Sequence, residues 1–334
     1  MSYKSTYTTL PYPWMSQSRY KKFVGCPYQF KRMEIDGYNP EESKKTMRQG
    51  TVLHDYFYMF FDNVDFDYLW DLGTDRDKIR FYFLTVLRGL VPVEKITDQH
   101  FIRNFKAFAK FELDHYLNLR HTLIHKIKVR LAWWCPPSRR EIFTTNDTHM
   151  MCGTVDRILV EGTKRIIMDY KTGTSVPKAV RDEAESADPL IRAKKYTSAT
   201  ISIYTVQATF YAIIDAYIQG FHFAYDSYDK NGDAKWEFYR GDKKLSIGNY
   251  YEYIFLWTGF GGSKRPVYFM AYKKVHIKSV RAILNRLPKI RATEDWKRKP
   301  NIRRCDWCPI YHIECKDKIQ QFKLFNGDVR FELY

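Results

Sequence analysis

The chain has 334 residues, 45% of them hydrophobic and 17% aromatic, and its 55 Lys+Arg against 38 Asp+Glu leave a net charge of +17 and a pI near 9.4. There is no apolar run of about eighteen residues, which excludes a helical membrane span, and no apolar leader near the N-terminus, so secretion is not expected. Such a basic, aromatic-rich chain suits a polyanionic partner and can bury one large core or two modest ones.

Residues 1–46 read as an N-terminal flap carrying Ser16-x-Ser18 and Cys26-Pro27-Tyr28-Gln29-Phe30. Residues 47–126 read as helical, with His54 early in an apolar stretch that runs to Phe61 and a helix over His100 to Lys126. A lone histidine on such a helix is more often structural than a ligand. Strands are expected over Ile127 to Trp134, Thr148 to Val160 and Arg165 to Tyr170, each rich in β-branched and apolar residues. A helix over Ser202 to Gly220 places Gln207 and Tyr211 at i and i+4, on one face. Further strands are expected over Gly220 to Tyr228 and Val267 to Lys273, and a helix over Val275 to Ile290 that Pro288 should end early. The Gly259-Phe260-Gly261-Gly262-Ser263-Lys264 loop lacks phosphate-loop spacing, so no helicase motor is expected.

Chemistry concentrates between Gly153 and Gly173. Asp156 lies five residues before Glu161, and Asp169 five after Lys164. The link Glu161-Gly162-Thr163-Lys164 is of hairpin length. Placement symmetric about that turn sets the two carboxylates side by side. Strand alternation then sends Asp169 and Lys171 to one face. Paired acids next to a phosphodiester need a cation between them and the substrate, and a lysine there can orient a water. The bland reading of Asp-x-Lys is an exposed hairpin salt bridge.

Of the six cysteines, Cys305, Cys308 and Cys315 form a Cys-x2-Cys-x6-Cys cluster, and Cys26 is the natural fourth thiol. In a chain without a secretion signal this reads as a metal site rather than disulfides. Thiolate ligation suits zinc or an iron–sulfur cluster, and spacing alone does not choose. Cys135 and Cys152 read as scattered structural cysteines. Basic residues interleave with aromatics at Trp296, Lys297, Arg298, Lys299, Arg303 and Arg304, just before the cluster. Rings stack on unpaired bases while cations hold phosphates, a pairing suited to single strands.

In this order the motifs resemble the RecB/AddB-type branch of the PD-(D/E)xK nuclease superfamily, including its iron–sulfur nucleases of recombination and CRISPR adaptation. The matching text is Gly50 to His54, Gly153 to Asp156, Asp169 to Lys171, Gln207 to Tyr211 and the four cysteines, from Ser16 to Cys315. The last cysteine interval is six residues, where five is common in that family. Thr174 to Thr200 is long and charged and does not align with that family.

The resemblance implies an α/β fold with a restriction-endonuclease-like core, a mixed sheet flanked by helices. It implies a helical insert at about 66–126 within a nuclease core of 47–290, and a cysteine-tied cap over 291–334. It implies a metal-dependent DNA exonuclease. Mg2+ or Mn2+ would be held by His54, Asp156, Asp169 and the Tyr170 carbonyl. Lys171 would position water, and Gln207 and Tyr211 would steady substrate or lysine. Cys26, Cys305, Cys308 and Cys315 would hold a [4Fe–4S] cluster, with Zn2+ the alternative. DNA, single-stranded for preference, is the expected partner, with a separately encoded helicase or recombinase alongside. The expected location is the cytoplasm of a bacterial cell or phage-infected host. The alternative function is a non-catalytic DNA-binding subunit of the same fold.

Overall fold

The computed structural model describes residues 14–38, 44–92, 97–122, 141–143, 149–173, 202–259, 268–299, 305, 308, 310, 314–315, 319–323 and 329–333. The strand expected over Ile127 to Trp134, the segment Thr174 to Thr200, and Cys135, Arg303 and Arg304 lie outside these residues.

The central sheet has four strands in the order β10-β9-β5-β4. β4 (Arg157–Glu161) and β5 (Lys164–Lys171) form the expected hairpin. Glu161 pairs with Lys164, which leaves Gly162-Thr163 as the turn, and Gly162 takes the left-handed φ of 61° that the tight turn demands. β9 (Tyr251–Trp257) runs parallel to β5, and β10 (Phe269–Lys274) runs antiparallel to β9.

β9 corrects the sequence reading, which assigned no strand there. All seven of its residues are buried. Its text, Tyr-Glu-Tyr-Ile-Phe-Leu-Trp, is the near-continuous apolar run of a strand covered on both faces. Thr148 to Val160 is likewise not one strand. β3 (Met151–Thr154) ends before Val155-Asp156, and β4 starts after it. β3 lies between β1 (Met15–Ser16), with which it runs parallel, and β2 (Glu141–Phe143).

Two helical layers clothe the sheet. On one face lie α3 (Lys44–Asn63), α4 (Phe66–Asp71), α5 (Arg76–Gly89) and α6 (Gln99–Thr122). Asp65 and Asp75 cap α4 and α5 with their side chains. Their rings interlock with the sheet: Phe57 stacks on Phe108 at 4.2 Å, and both meet Tyr170 edge-on. Ile166, Met168 and Tyr170 of β5 and Ile254 and Leu256 of β9 point into this layer.

The alternate residues, Ile167 of β5 and Tyr251, Tyr253, Phe255 and Trp257 of β9, point the other way. There they meet α7 (Ser202–Ile218) and α8 (Ile277–Arg291). Arg165 on β5 docks α7 by a two-pronged bond to Asp215, at 2.5 and 2.9 Å, and Tyr251 adds a third at 2.9 Å.

α8 runs past Pro288 to Arg291 instead of stopping early. Leu287 and Ile290 are fully buried on either side of the proline, and that packing outweighs one lost backbone bond in the last turn. The strand expected over Gly220 to Tyr228 shrinks to β6 (His222–Ala224), which pairs with β7 (Glu237–Arg240), itself paired with β8 (Lys243–Leu245), in a small outer sheet.

Near the N-terminus, α1 (Gln17–Gly25) and α2 (Pro27–Phe30) lead into a π turn over Lys31–Ile35. β11 (Ile319–Lys323) and β12 (Val329–Leu333) make a C-terminal hairpin. No helix among the described residues is long and apolar enough to cross a membrane.

Candidate active site

β5 delivers three consecutive candidate groups. Tyr170 points into the α3–α6 layer, so Asp169 and Lys171 share the α7 face, as alternation requires. Asp156 sits in the bend just before β4, beyond the Arg157–Met168 pair and so alongside Asp169. The bend frees its carboxylate from the ladder. Oδ2 accepts the Tyr170 backbone N–H at 2.7 Å, and Oδ1 meets His54 Nδ1 of α3 at 2.8 Å.

α7 closes the site from the other side. Gln207 bridges the two β5 groups: its Nε2 donates to Asp169 Oδ1, and its Oε1 accepts from Lys171 Nζ at 3.0 Å. Tyr211, one turn on, receives a 3.4 Å bond from the same amide. Lys171 also pairs with Asp169 Oδ2 and lies over the rings of Tyr204 and Phe255, at 5.0 and 5.4 Å from their centroids. Those rings fix the course of its flexible stem.

The electrostatics are those of acids packed together out of water. Burial pushes the Asp169 carboxyl above its ordinary range, Lys171 opposes this and Asp156 adds to it. Burial lowers the His54 pKa, but the charge and hydrogen bond of Asp156 outweigh it, and the net shift is upward. Asp169 Oδ2 is buried and accepts no hydrogen bond of good geometry, although the Lys171 ammonium faces it.

No group of three or more His, Cys, Asp or Glu among the described residues is preassembled to hold a metal ion. The site oxygens bond protein donors instead. The donor chemistry nevertheless fits a hard divalent cation. Two carboxylates and an imidazole converge, and the buried, incompletely bonded Asp169 gains from positive charge.

Gly153, on β3, shows why a glycine precedes the first aspartate. A Cβ there would stand 2.6 Å from Cε1 of Tyr211. Gly259 follows β9, where a Cβ would stand 2.0 Å from the Thr172 carbonyl oxygen, so the exits of β5 and β9 pack backbone to backbone.

Sequence reasoning missed the support beneath the site. Arg157 and Glu112 form a fully buried ion pair at 2.6 Å, and the guanidinium lies 4.5 Å from the centroid of the Phe61 ring. The pair ties α6 to the residue after Asp156. Asn104 of α6 donates to the Thr172 carbonyl at 3.4 Å and accepts from Thr258 at 2.5 Å, clamping the ends of β5 and β9. Each signal was a single charged or amide residue inside an apolar helix, without a partner nearby in sequence.

Away from the site, Cys305, Cys308 and Cys315 gather with Ile310, Tyr28 and Met33 in a small cluster of their own. Cys26 lies near enough to Cys315 for its charge to act on that thiol, and burial is the main cause raising the Cys315 pKa. Trp296 stacks on Phe30 at 6.0 Å, and Arg298 lies 3.9 Å over Tyr28. Lys297 pairs with Asp295 at 2.9 Å, and Lys299 reaches the Val24 carbonyl at 3.4 Å. These four residues thus line the seam between α1–α2 and the C-terminal segment.

A model of the PD-(D/E)XK nuclease superfamily matches residues 14–315. Neither the curated proteins nor the solved structures yielded a match.

Proposed function

Because the chain belongs to the PD-(D/E)XK nuclease superfamily, we propose that it is a divalent-metal-dependent DNA exonuclease of the RecB/AddB type that prefers single strands. Its setting is recombination, repair or phage DNA metabolism, beside a separately encoded helicase or recombinase. The observation that supports this is the convergence of Asp156, Asp169 and Lys171 at one strand end, under Gln207 and Tyr211.

His54, Asp156, Asp169 and the Tyr170 carbonyl would hold Mg2+ or Mn2+, and the ion supplies a polarised phosphoryl oxygen and a more acidic water. Lys171, steadied by Gln207 and by the rings of Tyr204 and Phe255, orients the attacking water. Tyr211 limits how far the Gln207 amide can swing.

Cys26, Cys305, Cys308 and Cys315 would hold a [4Fe–4S] cluster that staples the N-terminal helices to the C-terminal segment. Their thiols suit that group or zinc. The cluster's role is structural, since hydrolysis needs no electron transfer. Lys297, Arg298 and Lys299, with Trp296, Arg303 and Arg304, would bind the DNA strand, cations on its phosphates and the ring on its bases.

End-labelled single- and double-stranded DNA incubated with Mg2+, Mn2+ or EDTA tests the reading. Stepwise shortening of single strands that EDTA stops is expected. Tight binding without cleavage in either metal would instead make the chain a non-catalytic DNA-binding subunit.

A further inference from the structure

A cleft of about 540 Å3 opens beside the catalytic groups, within the range of sites that hold small ligands. Gly153 and Tyr211 form one wall, so whatever enters it lies next to the reacting centre. The start of α1, Ser16, Gln17 and Ser18, also lines the cleft. α1 has nine residues, and its first turn carries N–H groups with no partner inside the helix, at the positive end of its dipole. Ser16 caps it by accepting the Arg19 N–H at 3.3 Å and shares a 3.0 Å bond with the Ser18 hydroxyl.

Gln17 provides a second, independent sign. It is only 8% exposed, lines the cleft, and its Nε2 has no hydrogen-bond partner. A buried amide donor left unpaired is costly, and this one would gain from an acceptor in the cleft. Glu34 also faces the cleft, but its carboxylate is taken up by Arg19 at 2.8 Å and by Lys22. Arg19 donates in addition to the Trp14 carbonyl at 2.9 Å. The remaining donors therefore favour an anion.

We propose that this cleft is a phosphate subsite, in which the Gln17 amide, the Ser18 hydroxyl and the first-turn N–H groups of α1 grip a phosphate of the DNA strand next to the scissile linkage. The proposal rests on the nuclease reading and deepens it. The phosphate can be an internal diester or a terminal monoester, which offer the same oxyanion chemistry.

The test is binding in EDTA, followed by fluorescence anisotropy of a labelled single-stranded oligonucleotide. The set includes versions with one neutral methylphosphonate at each successive linkage, and versions with and without a terminal phosphate. Wild type should lose about tenfold in affinity when one particular phosphate is neutralised or removed, the worth of one hydrogen bond to a charged group. Gln17→Leu should bind the native strand about tenfold more weakly and lose nothing further at that phosphate. A terminal phosphate showing this behaviour makes the cleft a reader of strand ends; an internal one makes it a grip on the passing strand.

Wild-type affinity in Gln17→Leu, or wild-type sensitivity at every phosphate, overturns the subsite. Should Gln17→Leu fail to fold, Ser18→Ala on the exposed first turn is compared in the same way, and losses that simply add overturn it. Wild-type cleavage in Mg2+ is measured alongside. Binding without cleavage removes the nuclease reading and leaves the subsite to be judged by the binding data. Cleavage with an insensitive Gln17→Leu removes the subsite alone.

Discussion

At Gly153 a single methyl group is too many. The Tyr211 ring occupies the space a Cβ would take, and Tyr211 shares an amide with Asp169 and Lys171 through Gln207. Gly153→Ala should therefore push the ring aside and loosen the Gln207 bridge without unfolding the sheet. Displacement by about 1 Å can cost up to about a hundredfold in rate, so cleavage should drop by about tenfold to a hundredfold with a nearly unchanged melting temperature. Parallel kinetics and calorimetry check this, and wild-type turnover would count against the coupling. The two β5 groups, Asp169 and Lys171, were readable from alternation alone, and Asp156 from its symmetry about the turn. The grip of Gln207 on both was not, because it joins groups 36 and 38 residues apart in the chain.

Among elements, α6 carries the hidden load through Glu112. Removing one partner of a fully buried ion pair leaves an uncompensated charge, at about 3–5 kcal/mol. Glu112→Ala should lower the unfolding free energy by that amount, while Glu112→Met combined with Arg157→Met should recover most of it. Urea titrations of the two variants beside wild type decide the point; equal destabilisation by single and double changes would refute it.

A second element-scale effect lies at His149, just before β3. The ring is 1% exposed, packs on Trp236 at 5.2 Å, and its Nδ1 has no hydrogen-bond partner. Burial, aided by the Arg291 charge, lowers its pKa to about 4. An unfolded histidine titrates near 6.5, so the unfolded chain takes up this proton first as the pH falls. The stability contribution is thus intact above about 6.5 and is lost progressively down to about 4, by up to about 3 kcal/mol. His149→Phe should flatten the dependence of melting temperature on pH across that window, and an unchanged slope would exclude His149 as its source.

Helices such as α3, α6 and α7 were legible from their apolar stripes, whereas β9 was passed over. Its covered faces erase the alternation that marks a half-exposed strand. Its partner β5 lies more than eighty residues earlier, and no local signal announces such a pairing.

For the molecule as a whole, the N-terminal helices meet the C-terminal segment at Glu314. Tyr28 and Arg32 bond Glu314 at 2.6 and 2.8 Å, beside the cysteines. If a metal group ties this seam, its binding energy is folding energy, since the unfolded chain has no preformed site. Cys26→Ser should then lower the melting temperature and solubility, whereas Cys152→Ser should leave metal content unchanged. Iron, sulfide and zinc analysis of anaerobically purified protein reads out which group is present, and finding none would remove the staple.

If Asp169 and Lys171 carry the hydrolysis, single-turnover cleavage of end-labelled single-stranded DNA in Mg2+ must depend on both. Asp169→Asn and Lys171→Ala should each slow the wild-type rate by about a thousandfold, equivalent to about 4 kcal/mol of barrier. Both should still bind the same DNA in EDTA and melt cooperatively. Cleavage at the wild-type rate by either folded variant would contradict the assignment of this site.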